Sequence, residues 1–121
     1  MATRYMDDKT PMAMQGDVSI VSLPLPKGLE MKPLTEKTVL IGEGSSHHHI
    51  ITADPHSKVL LGEFPDGRMF VNVLSGSATL SHLLMPSRTK ANHDPITVGP
   101  GTWRFWGQTE YSELEDRPVI D

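Results

Sequence analysis

Hydrophobic and polar residues alternate in short runs along most of the chain, which is the pattern of strands rather than of helices. From residue 17 onward the runs predict strands at 17–23, 38–41, 47–52, 58–64, 68–74, 77–84, 96–98 and 102–106. Turn residues separate the runs, and Pro65-Asp66-Gly67 and Gly99-Pro100-Gly101 predict hairpin turns because glycine tolerates positive φ. Short strands at this even spacing predict an all-β fold, a small β-sandwich or barrel that includes jelly-roll and cupin-like arrangements.

The N-terminal residues show neither the period of a strand nor that of a helix. We therefore divide the chain into an extended N-terminal arm, residues 1–15, and a single β domain, residues 16–121. The arm is polar but holds four of the seven methionines, and methionine side chains adapt well to irregular apolar surfaces. A floppy tail is the alternative. We expect residues 1–15 and the proline-rich residues 23–34 to contact a protein partner or a second copy of the chain.

Composition narrows the classes of function. The 121 residues carry 11 basic and 15 acidic side chains, a net charge of −4, and no cysteine. This length suits one domain, and the acidic balance without a basic face argues against a nucleic-acid partner. The apolar runs are far shorter than the roughly 20 residues that a membrane-spanning helix needs. No secretory signal pattern is seen near the start, so we expect synthesis in the cytoplasm.

Histidines form the most informative group of polar residues. Of six histidines, His47, His48 and His49 are consecutive within a predicted strand. Side chains alternate along a strand, so His47 and His49 share one face while His48 points to the other. Such a His-x-His pair commonly supplies two imidazoles to one metal ion.

Two further histidines lie where an all-β fold can bring them towards this pair. The candidate metal ligands are His47, His49, His82 and His93. Glu43 and Asp94 are candidates for a fifth ligand or for hydrogen-bond acceptors behind the ligands. The alternative is that the histidines are polar surface at a solvated turn.

Other chemistry is sparse. Ser45 and Ser46 lie outside any nucleophile-elbow pattern, and no phosphate-binding loop is present in the sequence. We assign no catalytic residue, and the one cofactor considered is a divalent transition metal such as Zn²⁺. Trp103 and Phe105 share a strand face and are expected in the core, whereas Trp106 faces the other side as an interface anchor. Residues 112–116 are expected to form one helical turn in a solvated acidic segment.

Several motifs occur in an order that resembles a family of small uncharacterised bacterial and phage proteins. These motifs are Gly16-Asp17-Val18, Gly42-Glu43-x-x-x-His47-x-His49, Leu80-x-His82, His93-x-Pro95-Ile96-x-x-x-Pro100-Gly101 and Gln108-x-Glu110-Tyr111. The chain departs from the family pattern in the long loop between His82 and His93 and in Ser46, which replaces a glycine. The resemblance implies a shared β fold and a shared histidine cluster, without a reaction.

Two functions follow as expectations. The first is a non-enzymatic structural or assembly protein, such as a capsid-decoration component of a phage virion, that docks through its arm. The second is a cupin-like, histidine-rich metal-binding protein or metalloenzyme with an open coordination position. We favour the first, because the arm and the proline-rich segment suit docking and no specific catalytic motif is present.

Overall fold

The strands form a β-sandwich, which confirms the predicted all-β class. The structure is a computed structural model that describes residues 3–7, 12–41, 46–91 and 93–107. The strands of these residues are β1 (Arg4–Met6), β2 (Met12–Gln15), β3 (Val18–Ser22), β4 (Lys32–Pro33), β5 (Glu36–Ile41), β6 (His47–Ala53), β7 (Lys58–Glu63), β8 (Met69–Ser75), β9 (Ala78–Leu84), β10 (Thr89–Lys90), β11 (Ile96–Val98) and β12 (Gly101–Gly107). Within the described ranges there is no helix long and apolar enough to cross a membrane.

The strands are divided between two sheets. Sheet A has the order β1-β11-β9-β6-β5, with β10 also paired to β9, and sheet B has the order β2-β3-β12-β8-β7-β4. Every pair is antiparallel except β1 with β11 among the described strands. Strands that are distant in sequence, such as β3 and β12, therefore lie side by side.

The core lies between the sheets and follows directly from strand alternation. In β12, Trp103 and Phe105 are buried in the core while Trp106 is half exposed, as the sequence predicts. In β3, Val18 and Ile20 point inward in the same way. Strands such as β3, β9 and β12 thus bury one row of side chains and present the other row outside.

The described part of the predicted arm is integrated into the sandwich. β1 extends sheet A beside β11, and β2 extends sheet B beside β3. Met6 is fully buried in the core, and the Arg4 Nη2 atom donates to the Met14 carbonyl at 2.6 Å. Backbone pairing thus carries residues 4–6 and 12–15, both within the predicted arm, into the two sheets.

The two predicted hairpin turns have different outcomes. Pro65-Asp66-Gly67 joins β7 to β8, and Gly67 has a φ of 96°, so this hairpin is confirmed. Gly99-Pro100-Gly101 instead joins β11 of sheet A to β12 of sheet B, so the prediction of a hairpin here was wrong. The Trp103 indole Nε1 donates to the Gly99 carbonyl at 2.9 Å, which holds this crossover against the core.

Two short strands also occur outside the predicted ones. β4 lies within the proline-rich residues 23–34, and β10 lies in the long connection between His82 and His93. Part of the 23–34 segment packs on its own domain, since Leu29 and Met31 lie where a side chain on Gly62 would project. The predicted helical turn at 112–116 lies outside the described residues.

The alternation in β12 predicts very different costs for two tryptophan substitutions. Trp103→Ala should lower the free energy of unfolding by about 3–5 kcal/mol, because it empties a buried indole site. Trp106→Ala, the matched control, should cost within about 1 kcal/mol, since it removes a half-exposed ring that stacks on Arg104. Urea denaturation of both variants measures this, and equal losses would contradict the inward and outward assignment.

Candidate functional site

The inward-facing rows of sheet A change from apolar to histidine towards one end of the sandwich. In β6 the row passes from Ile51 to His49 and His47, and in β9 it passes from Leu80 to His82. The antiparallel register places Ile51 opposite Leu80 and His49 opposite His82. The core therefore continues directly into a histidine cluster.

The structure brings all four predicted histidines together. The ring centroids are 4.3 Å apart for His49 and His82, 5.0 Å for His82 and His93, 5.3 Å for His47 and His82, and 6.3 Å for His49 and His93. His49 and His82 are buried, whereas His93 is exposed. We call these four residues the histidine cluster. The remaining histidine outside this region, His56, lies in an exposed turn.

A buried glutamine that the sequence analysis missed fixes the orientation of His49. Gln15 is 1% exposed, and its Nε2 atom donates to the carbonyls of Leu80, at 3.0 Å, and Asp94, at 2.8 Å. Its Oε1 atom is thereby left to accept from His49 Nδ1 at 2.8 Å. His49 consequently carries its proton on Nδ1 and keeps a free lone pair on Nε2.

Gln15 could have been found from strand alternation. Met12 and Met14 face out on β2, so Ala13 and Gln15 face in, and a long amide facing inward needs polar partners. The partners come from the other sheet, because β2 belongs to sheet B while His49 and Leu80 belong to sheet A. Gln15 therefore connects the two sheets at the histidine cluster.

The remaining contacts of the cluster are looser. The His93 backbone N–H donates to His82 Nδ1 at 3.3 Å, which in the neutral ring leaves the His82 proton on Nε2. Gly16 lies beside the rings with a φ of 58°, and a Cβ atom there would be 2.9 Å from His93 Nε2. Glycine is thus required both by the backbone conformation and by the closeness of His93.

The environment of the two buried histidines, His49 and His82, favours their neutral imidazole form. Burial is the main cause that lowers the pKa of His49 to about 4, and the neighbouring His82, His93 and His47 add to it. Burial, followed by His93 and His47, also lowers the pKa of His82. Neutral imidazole is the form that binds a metal ion.

The described conformation does not itself assemble a coordination sphere. No group of three or more His, Cys, Asp or Glu side chains is placed to hold a metal ion within the described ranges. The rings of His49 and His82 are stacked with an interplanar angle of 12°, so their in-plane lone pairs do not converge.

The two acidic residues considered as additional ligands have separate outcomes. Asp94 contributes its backbone carbonyl to Gln15, its carboxylate lies 3.8 Å from Lys90 Nζ, and its Oδ1 atom is buried without a hydrogen-bond partner. Asp94, which follows His93 in the chain, thus borders the cluster through its own backbone carbonyl. Glu43 lies outside the described residues.

A second feature lies on the opposite, outer side of sheet B. Strand pairing places Val21 between Met12 and Arg104, and Ser19 between Met14 and Trp106. Leu23 continues the outward row of β3, and its N–H donates to the Thr102 carbonyl. We call this surface the Met–Trp face. It consists of one cationic residue, Arg104, and the apolar residues Met12, Met14, Val21, Leu23 and Trp106.

The Met–Trp face is exposed and carries an unsatisfied donor. Met12, Met14 and Trp106 are 63%, 50% and 50% exposed. The Arg104 guanidinium stacks over the Trp106 ring at 4.6 Å, and its Nε atom is buried without a hydrogen-bond partner among the described residues. Clustered exposed apolar side chains of this kind are typical of interaction surfaces.

Comparison with known proteins gives one match. A family model described as a domain of unknown function, DUF8820, matches residues 14–108, which span both Gln15 and Trp106. Neither the curated proteins nor the solved structures contain a match to the chain.

The pKa shifts predict a loss of stability in weak acid. An unfolded histidine binds its proton near pH 6.5, whereas folded His49 stays neutral down to about pH 4. Between these values the unfolded state binds more protons, so the free energy of unfolding should fall as the pH drops, by on the order of 3 kcal/mol from His49. Urea denaturation between pH 7 and 4 measures this. His49→Leu should remove that part of the pH dependence while His56→Asn keeps it, and identical profiles for all three proteins would contradict the assignment.

The hydrogen bonds of Gln15 predict a large cost for an apolar replacement. Gln15→Leu leaves the carbonyls of Leu80 and Asp94 and the N–H of His49 without their partner in a buried site, so it should cost at least about 2 kcal/mol. Ser87→Ala removes hydrogen bonds to Leu84 and Thr89 at an exposed turn and should cost less than about 0.5 kcal/mol. Similar losses in the two variants would show that Gln15 does not connect the sheets.

Proposed function

The chain belongs to the DUF8820 family, whose function is unknown, and we propose that it is a non-enzymatic docking protein of a larger assembly. One observation carries this proposal. The fold brings Met12 and Met14 from segment 1–15, Leu23 from segment 23–34 and the predicted anchor Trp106 onto one exposed face. Two segments expected to contact a partner thus contribute to a single surface.

The chemistry of the Met–Trp face favours a protein partner. Methionine and tryptophan side chains supply a large, adaptable apolar contact, and tryptophan and arginine are enriched among residues that dominate binding energy. Arg104 adds a cation to the face, since its guanidinium stacks over the Trp106 ring at 4.6 Å. A partner that brings a carboxylate near Arg104 and apolar side chains over Trp106 and the methionines complements both kinds of chemistry.

The backbone edge of β2 is less suited to docking than its face. Arg4 occupies the Met14 carbonyl, so the free edge of β2 has lost an acceptor that strand addition from another chain would use. Docking through side chains of the face is therefore favoured over addition of a strand.

The assembly that we propose is a phage virion, with the protein as a capsid-decoration component that is synthesised in the cytoplasm and then incorporated. Support for this finer assignment comes from the resemblance to small bacterial and phage proteins described above. A decoration protein needs one face that binds the particle and a stable domain that projects from it. The Met–Trp face and the β-sandwich supply these two parts.

The proposal predicts that the protein migrates above its monomer mass in its source cells or in purified particles. Trp106→Ala combined with Met14→Ser should return it to the monomer position in a sucrose gradient, because the apolar contact is lost. Ile41→Ala is the matched control, since Ile41 is 53% exposed on sheet A, and it should leave the assembly unchanged.

Two results would contradict the proposal. One is migration of the wild-type protein as a monomer both in purified form and in the source lysate. The other is an equal shift caused by Ile41→Ala, because that would assign the effect to general loss of surface hydrophobicity. Sedimentation of the wild type, but not of the double variant, with purified virus particles would support the virion assignment.

A further inference from the structure

We propose that His47, His49, His82 and His93 bind a divalent transition metal, with Zn²⁺ as the best-matched ion. This site is separate from the Met–Trp face, because His49 and His82 are buried on the inner side of sheet A and the face lies on the outer side of sheet B. The His82 ring lies next to each of the other three rings, and together they offer nitrogen ligands of the type that Zn²⁺, Cu²⁺ and Ni²⁺ prefer. Zn²⁺ readily accepts four-coordinate nitrogen sites.

The first argument for a metal site is that a hydrogen bond from His49 to Gln15 holds the His49 ring in place. A metal-binding histidine usually donates its other ring N–H to a fixed acceptor, which sets the tautomer and the ring orientation. His49 does this through Nδ1 to Gln15 Oε1, and two backbone carbonyls hold the Gln15 amide in place. His49 Nε2 is thereby prepared as a ligand before any ion binds.

The second support is that the contacts opposing coordination are weak. Coordination requires the stack of His49 and His82 to open, since parallel rings cannot direct their lone pairs to one point. The bond that holds His82 Nδ1 to the His93 N–H is long, at 3.3 Å. His93 lies in an exposed bend, so its ring can turn without disturbing the core.

The third support is the enclosure of the cluster. A Cβ atom on Gly16 would lie 2.9 Å from His93 Nε2 and 3.3 Å from His49 Cε1, so the Gly16 backbone closes one side of these two rings. The inward rows that lead to the cluster are apolar, so water has limited access from the core side. A partly enclosed set of imidazoles is suited to retain a bound cation.

The test is titration of the untagged, metal-free full chain with Zn²⁺ alone, in competition with a chromophoric chelator. The wild type should take up one equivalent of Zn²⁺. His47→Gln and His93→Gln should each weaken binding by at least about tenfold, because each removes a ligand. Both positions are outside the fully buried core, so these variants keep the fold.

His48→Gln is the matched control, because His48 lies between His47 and His49 in sequence but on the other face of β6. It should bind Zn²⁺ like the wild type. Nitrogen-15 NMR of the wild-type imidazoles gives a second measurement: Zn²⁺ should shift His49 Nε2 while Nδ1 stays protonated. Failure of the wild type to take up a stoichiometric amount, or equal weakening by His48→Gln, would overturn the proposal.

Discussion

The buried amide of Gln15 is the contact on which the histidine end of the sandwich depends. Most of the contact between the two sheets is made by apolar side chains, which impose no direction on their neighbours. Gln15 instead uses both donors and its acceptor on three groups of sheet A or its connections, with little exposure to water. Because an unmet buried hydrogen bond is costly, this arrangement fixes the relative position of β2, β6 and β9 and the orientation of His49.

A single short strand contributes to both the histidine cluster and the Met–Trp face. On β2, Gln15 faces the histidine cluster while its neighbour Met14 belongs to the Met–Trp face. The cluster and the face therefore lie on opposite sides of sheet B, yet both depend on the pairing of β2 with β3. Loss of that pairing would remove a support of the cluster and two methionines of the face together.

The cluster joins imidazoles that would repel one another if protonated. Burial is the largest cause of the low pKa of His49, and the neighbouring histidines reinforce it. The stacked neutral rings of His49 and His82 pack much like apolar side chains. This explains how histidines can continue the inward rows of β6 and β9 beyond Ile51 and Leu80. The same neutral state makes their nitrogens available as metal ligands.

Strand alternation and turn residues are local properties. Alternation was sufficient to predict the β fold, the burial of Trp103 and Phe105 and the exposure of Trp106, and the turn residues predicted the 65–67 hairpin. It also put His47 and His49 on one side of their strand. Alternation states which way a side chain faces, but it does not state which strands pair or to which sheet each belongs. The crossover at 99–101, the inclusion of residues 4–6 and 12–15 in the sheets, and the contacts of Gln15 were decided by the tertiary structure. The tertiary structure also brings His82 and His93 next to the other histidines, because these contacts depend on hydrogen bonding and packing between segments far apart in the chain.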